Sequence, residues 1–310
     1  MIAARFGSRP DLVEFLGKQL VKGRLALFLG AGITMQLAEA EDGNWMGLPS
    51  WPKLIGNLYA TEEAIPPQLS DLVNAADEFR LKYCYENYQK FAERVTQALY
   101  KDINLEFAAI RRNDTLGALG ALAISSLRGS VSEIVTFNFD DILERYLIYH
   151  GLVATPVFEE KFWVSRGDVL IYHPNGFLPS PGSCFGMPSD YLVLDRSSYS
   201  KTTGRSDQRM NQKMETIMQS NVCLFVGLSG DDQRLDSLLM VSKDKHAYNS
   251  SQMGYWGVTL STSDRIETAR RWAERGVYHF RVTDYENDLP TFLFQISQSA
   301  GNCNRISGSQ

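Results

Sequence analysis

The run Leu25-Ala-Leu-Phe-Leu-Gly-Ala-Gly-Ile-Thr34 sets the reading of the whole chain. Five apolar residues without alternation suit a strand buried on both faces of a parallel sheet. They stop at Gly30-Ala-Gly32, where the backbone can turn without a Cβ in the way. Upstream, Leu12, Phe15, Leu16 and Leu20 follow the helical period, with Pro10 suited to the first turn and Gly23 to a C-terminal stop. Downstream, similar apolar runs return at residues 133–137, 168–172, 221–226, 255–260 and 277–282. The last follows a helix predicted over 264–275, which Asp264 and Glu267 would open as a capping box. Buried strands alternating with amphipathic helices predict an α/β, doubly wound, Rossmann-like parallel sheet with ligands at the carboxyl ends of the strands.

One stretch breaks that rhythm. Residues 69–79, 83–100 and 115–127 all read as helices, and no strand is expected between Trp51 and Leu127. The expected organisation is one domain over 1–300. Its sheet parts lie at about 1–50 and 128–300, and an all-helical insertion at about 51–127 forms a smaller lobe. A cleft between lobe and sheet would suit a small ligand. The polar, glycine-bearing end from Ser299 onward is expected to fray, with 301–310 a flexible tail.

Composition narrows the class. The chain of 310 residues is 44% hydrophobic and 22% charged, the proportions of a globular protein. A net charge of -5 with no basic run argues against direct nucleic-acid binding. No apolar run approaches membrane-spanning length, and residues 1–10 lack a signal-peptide core, so the expected location is cytoplasmic. The four cysteines, Cys84, Cys184, Cys223 and Cys303, have no C-x-x-C spacing, which disfavours a disulfide framework or a structural zinc.

Four strand ends carry the candidate chemistry. After the first strand, Gly30, Ala31, Gly32 and Thr34 could bring backbone N–H groups to a phosphate; a ligand-free tight turn is equally consistent with them. After the second, Val135-Thr-Phe-Asn-Phe-Asp-Asp141 places Asn138 and Asp140 where the sheet meets its cleft. Asp140 or Asp141 could simply cap the next helix, which leaves Asn138 without a job. After the third comes His173, a plausible acid or base. After the fourth, Gly227 and Ser229 suit ribose or phosphate, and Asp232 suits a helix cap or a hydroxyl. The two Asp-Asp pairs bring no further ligands at a defined spacing, so no metal is expected. Together the four ends describe a dinucleotide-sized cleft.

In order, Gly30-Ala-Gly-Ile-Thr34, Leu48-Pro-Ser-Trp51, Thr136-Phe-Asn-Phe-Asp140, Tyr172-His173 with Gly176, and Val226-Gly-Leu-Ser229 resemble the sirtuin-like family of NAD-consuming domains, in particular the branch that acts in bacterial antiphage defence. The segments 190–199 and 232–236 resemble that branch as well. The resemblance implies that Gly30, Ala31, Gly32 and Thr34 cradle the NAD pyrophosphate, with Trp51 beside them. It implies that Asn138 and Asp140 face the nicotinamide ribose, with His173 as the family histidine. Gly227, Ser229 and Asp232 would serve the adenosine ribose. The sequence departs from the family where Pro174 and Asn175 separate His173 from Gly176. It also lacks the zinc-binding cysteine tetrad of the deacetylases and has Ser50-Trp51 after the early proline.

The implied activity is NAD glycohydrolysis, with NAD as substrate. Asn138 would position water or a ribose hydroxyl, His173 would act as base, and Asp140 would orient the nicotinamide side. The implied role is a defence effector that depletes NAD when triggered. Control would come through a homo-oligomer or through a HerA-type ATPase or Argonaute-like partner. The alternatives are a non-catalytic NAD or ADP-ribose sensor and, more distantly, a protein deacylase. Alanine at Asn138 or His173 is expected to remove activity with little loss of packing.

Overall fold

The computed structural model describes residues 6, 8–35, 38–39, 45–66, 71–124, 129–158, 167–186, 188, 191–195, 198, 208–229, 232–246 and 255–307. The expected strands all form: β1 (Leu25–Leu29), β4 (Glu133–Thr136), β6 (Val169–Tyr172), β7 (Val222–Val226), β8 (Gly257–Ser261) and β9 (Val277–Arg281). With β5 (Ala154–Val157) they make a seven-stranded sheet in the order β5-β6-β4-β1-β7-β8-β9. The pairs β1–β7, β7–β8, β8–β9 and β5–β6 are parallel. Chain order reverses direction at β1, the central, fully buried strand that leads into Gly30. A separate two-stranded antiparallel pair joins β2 (Ala38–Glu39) to β3 (Trp45–Met46); two residues a side leave no periodic signal to read.

Strand β5 escapes the sequence reading because Pro156 argues against a strand. Its place at the sheet edge resolves this, since an edge strand can spare the N–H that proline lacks.

The helices depart from expectation at three points. Residues 83–100 do not form one helix. Helix α3 (Leu72–Cys84) stops where Tyr85 and Glu86 take left-handed φ of 52° and 60°. Helix α4 (Tyr88–Leu99) restarts on Asn87, whose side chain accepts the Lys90 N–H at 3.0 Å. The short α5 (Phe107–Ile110) follows it, and α8 (Gln208–Ser220) leads into β7. The capping box at Asp264 is not formed either. Helix α10 (Ile266–Glu274) begins after Arg265, whose N–H goes to Ser263 Oγ at 3.3 Å. Finally, α11 (Asp288–Ser307) continues through the segment expected to fray. It docks on α1 (Arg9–Val21) so closely that a Cβ on Gly17 would lie 2.8 Å from Ser299 Oγ. Residues 308–310 of the expected tail lie outside the described residues.

The chain divides into two compact units. The first comprises Met1–Gly30, Asp114–Val135 and Gln212–Gln310. Here α11 also packs on α6 (Asp114–Ala123), and α10 packs on β9. The second comprises Ala31–Asn113 and Thr136–Asn211. Its α2 (Trp51–Ala60), α3 and α4 bury Leu54, Ile55, Leu58, Phe79, Phe91 and Val95 against one another.

Gly30 shows why β1 ends in glycine. Its N–H donates to the Val226 carbonyl at 3.0 Å, and a Cβ there would sit 2.6 Å from the Gly227 carbonyl oxygen. Gly227 in turn needs its positive φ of 71°. Gly30→Ala should therefore cost about 1–3 kcal/mol of stability by overpacking. An unchanged urea midpoint would show that this approach is looser than the distance implies.

Candidate active site

The second unit holds seven of the residues singled out from sequence: Ala31, Gly32, Thr34, Trp51, Asn138, Asp140 and His173. After β4 the chain stays irregular until α7 (Ile142–Tyr149), so the side chains of Asn138 and Asp140 are set by hydrogen bonds. The Asn138 N–H donates to Thr136 Oγ1 at 3.2 Å, and its carboxamide Nδ2 donates to Thr34 Oγ1 at 3.3 Å. Thr34 follows a 3₁₀ turn over Ala31–Ile33 that contains Ala31 and Gly32. Its hydroxyl lies 3.4 Å from both the Ala31 carbonyl and Asp140 Oδ2. All three side chains are buried.

Asp140 is in part the helix cap that its position suggests. Its Oδ1 accepts the Ile142 N–H at 3.1 Å, at the start of α7. Burial pushes its pKa from 3.8 up to about 7, and the carboxylates of Glu144 and Asp141 add to the rise. The Ile142 N–H and His173 oppose it. At neutral pH such a group both holds and accepts a proton.

His173 follows β6 and is fully buried. Its Nδ1 lies 3.1 Å from the Asn138 carbonyl oxygen, and its Nε2 lies 2.6 Å from Glu144 Oε1. The ring stands edge-on to Phe177 at 4.8 Å between centroids. Burial alone would lower its pKa, but the charge and hydrogen bond of Glu144 outweigh it and the value rises above 6.5. Both ring nitrogens are engaged within the protein, at the carboxyl end of a strand as expected from sequence.

A second network lies alongside. Asp141 accepts from Ser180 Oγ at 3.1 Å and sits 3.3 Å from the Tyr100 hydroxyl, which donates to the Leu178 carbonyl at 2.7 Å. Arg145 closes it with a 2.7 Å bond to Ser180 Oγ. Sequence reasoning missed Glu144, Tyr100 and Ser180. For Glu144 a signal existed: it lies three residues before Leu147 on the helix face that carries Leu143 and Leu147, where an acid needs a partner.

The remaining expected residues fall into two settings. Trp51 opens α2, and the Leu48 N–H that leads into it donates to the Thr34 carbonyl at 2.8 Å. The Trp51 indole N–H is buried and has no acceptor among the described residues. In the first unit, Gly30 and Gly227 touch, and exposed Ser229 offers its carbonyl to Arg271 at 2.7 Å. Asp232 caps α9 (Gln233–His246), its Oδ1 accepting the Leu235 N–H at 2.9 Å. Among the described residues, no group of three His, Cys, Asp or Glu could hold a metal ion. No helix is long and apolar enough to cross a membrane among those residues.

Residues 132–280 match the family model of the SIR2-like domain. The matched stretch carries Asn138, Asp140, His173, Gly227, Ser229 and Asp232. Among solved structures, a Sir2 homologue mutant in complex with ADP-ribose is similar with a TM-score of 0.49 and 14% identity, covering 94% of this chain and 97% of that one. A Sir2 homologue–NAD complex gives 0.44 and 12%, covering 94% of each chain. No curated protein matches the sequence.

Proposed function

We propose that this chain hydrolyses the N-glycosidic bond of NAD, releasing nicotinamide and ADP-ribose. The observation that carries the reading is the buried Thr34–Asn138–Asp140 network at the end of β4, within a SIR2-like stretch. In this reading the cationic nicotinamide leaves with the bonding electron pair as a neutral molecule. Water adds to the oxocarbenium-like ribose carbon and gives up one proton. The anchored Asn138 carboxamide holds that water or a ribose hydroxyl. Asp140, with a pKa of about 7, takes the proton. His173 has no free nitrogen lone pair while Glu144 and Asn138 hold it, so the base role read from sequence passes to Asp140. Gly30, Ala31, Gly32, Thr34 and Trp51 serve the pyrophosphate side, and Gly227 and Ser229 the adenosine ribose. Asp232 supports them by holding the start of α9.

The proposed biological role is depletion of cytoplasmic NAD in defence, switched on by self-assembly or by a HerA-type ATPase or Argonaute-like partner. Toxicity is the main argument, because an unregulated NAD hydrolase drains its own cell. The aromatic residues in and just after α3 and α4 add little: Phe91 and Tyr100 are buried, and Tyr85 stands out at 80% exposure. Purified protein incubated with NAD should release nicotinamide, alone or with co-expressed partners. Binding without release would favour the sensor, and release that depends on an acylated peptide would favour the deacylase. Light scattering over a dilution series tests control by self-assembly. That form of control fails if the chain is monomeric throughout with constant activity per molecule.

A further inference from the structure

Glu144 is fully buried on α7, with Oε1 bound to His173 and Oε2 without a hydrogen-bond partner among the described residues. A buried acid–histidine pair is an expensive way to fill a core, since apolar residues of similar volume often serve stability as well or better. Its partners give it a purpose. The Asn138 carbonyl can only accept, so His173 Nδ1 carries a hydrogen and donates to it at 3.1 Å. The Asn138 peptide is thereby held at both ends, with its N–H on Thr136 and its C=O on His173. The Phe137 carbonyl just before it is held by Asn175 Nδ2 at 3.3 Å. A backbone fixed in this way aims the carboxamide at Thr34.

We propose that Glu144 is a positioning residue: by gripping His173 at Nε2 it keeps Nδ1 on the Asn138 carbonyl and so fixes the direction of the Asn138 carboxamide. This rests on the hydrolase reading and assigns a task to a residue outside the sequence motifs. The charged groups that face the imidazole are Glu144 from α7 and Asp140 from the loop after β4. Asp141 turns instead to Tyr100 and Ser180. Removing the Glu144 charge leaves burial to dominate, and His173 should then lose its second proton more easily.

The test uses ¹⁵N-histidine-labelled full chain. His150→Gln, His246→Gln and His279→Gln assign three of the four imidazoles and leave His173. In the wild type His173 should titrate above the ordinary histidine value; in Glu144→Gln it should titrate below it. Nicotinamide release by folded Glu144→Gln should fall about ten- to a hundredfold in kcat, by analogy with the loss seen when the outer-shell partner of a metal-bound histidine is removed. Its KM should change by less than about twofold. Glu144→Asp, which keeps the charge, should recover part of the loss and covers the case in which the glutamine variant does not fold. Identical His173 titration in wild type and variant overturns the proposal, as does undiminished kcat in a variant whose His173 has shifted. If the wild type never releases nicotinamide, with or without partners, the hydrolase reading fails on its own. The Asn138 side-chain NH₂ resonances then decide whether Glu144 positions that group: displacement in Glu144→Gln supports it, and superimposable signals overturn it.

Discussion

Asn138→Ala should lower nicotinamide release by about 10²–10³-fold, the usual loss when a preorganised polar group is removed from a reacting centre. The substitution deletes the carboxamide and leaves the Thr34 hydroxyl without the donor that reaches it at 3.3 Å. The backbone bonds of Asn138 to Thr136 and His173 do not involve its side chain and should persist. The fold should therefore lose only about 1 kcal/mol, the net worth of one ordinary hydrogen bond. In the proposed reading the glycine turn carries most of the NAD affinity, which should then stay close to that of the wild type. Paired calorimetry, thermal melts and turnover separate these effects. Turnover within about threefold of the wild type, too little for a lost donor at a reacting centre, would remove Asn138 from that centre.

The residues behind that outcome are related in ways that no local pattern displays. Strand β1 and the glycines after it were legible because the unbroken apolar run that stops at Gly30 is too short for a helix and too apolar for a half-exposed strand. The polar residues at strand ends were legible by contrast with their surroundings, since Asn138 stands where a core residue or a turn glycine would be ordinary. Glu144 was not. Within Asp140-Asp-Ile-Leu-Glu-Arg145 it reads as one acid on a helix, and its partner His173 is 29 residues away. The Tyr100–Asp141–Ser180 network spans separations of 41 and 39 residues. It was hidden by the same distance, and by an aspartate pair that looks like a helix cap. Local rules also erred where tertiary contacts overruled them. Pro156 is tolerated because β5 is an edge strand, and the glycine-bearing end of α11 stays helical because it docks on α1 at Gly17. Residues 190 and 199, the ends of one stretch that carries the family resemblance, lie outside the described residues.

His173→Ala should do more damage than its place at a strand end suggests. The sequence reading expects the fold to be indifferent to it, but the structure ties the ring to Glu144 at 2.6 Å in a site with no exposure. Removing the imidazole strands a fully buried carboxylate without its partner, a change that costs about 3–5 kcal/mol where one half of a buried pair has been deleted. The loss should depend on pH. His173, whose pKa is raised on folding, contributes most below 6.5, so the penalty for deleting it should be larger at about pH 5.5 than at about pH 7.5. In the wild type, a His173 pKa raised on folding contributes stability that is complete below 6.5 and is lost as pH climbs through the folded value. Asp140, raised from 3.8 to about 7, acts in the same sense, and its contribution fades between those two values. The two groups together make the wild type less stable with rising pH, and the alanine variant, which lacks the histidine contribution, should fall away more slowly over the same interval. His173→Gln, which retains a donor for the carboxylate, should recover part of the loss. Urea unfolding of all three proteins at the two pH values decides the matter. A His173→Ala protein within about 0.5 kcal/mol of the wild type at both, a shift typical of ordinary surface substitutions, would mean that Glu144 and His173 do not form a buried charged pair.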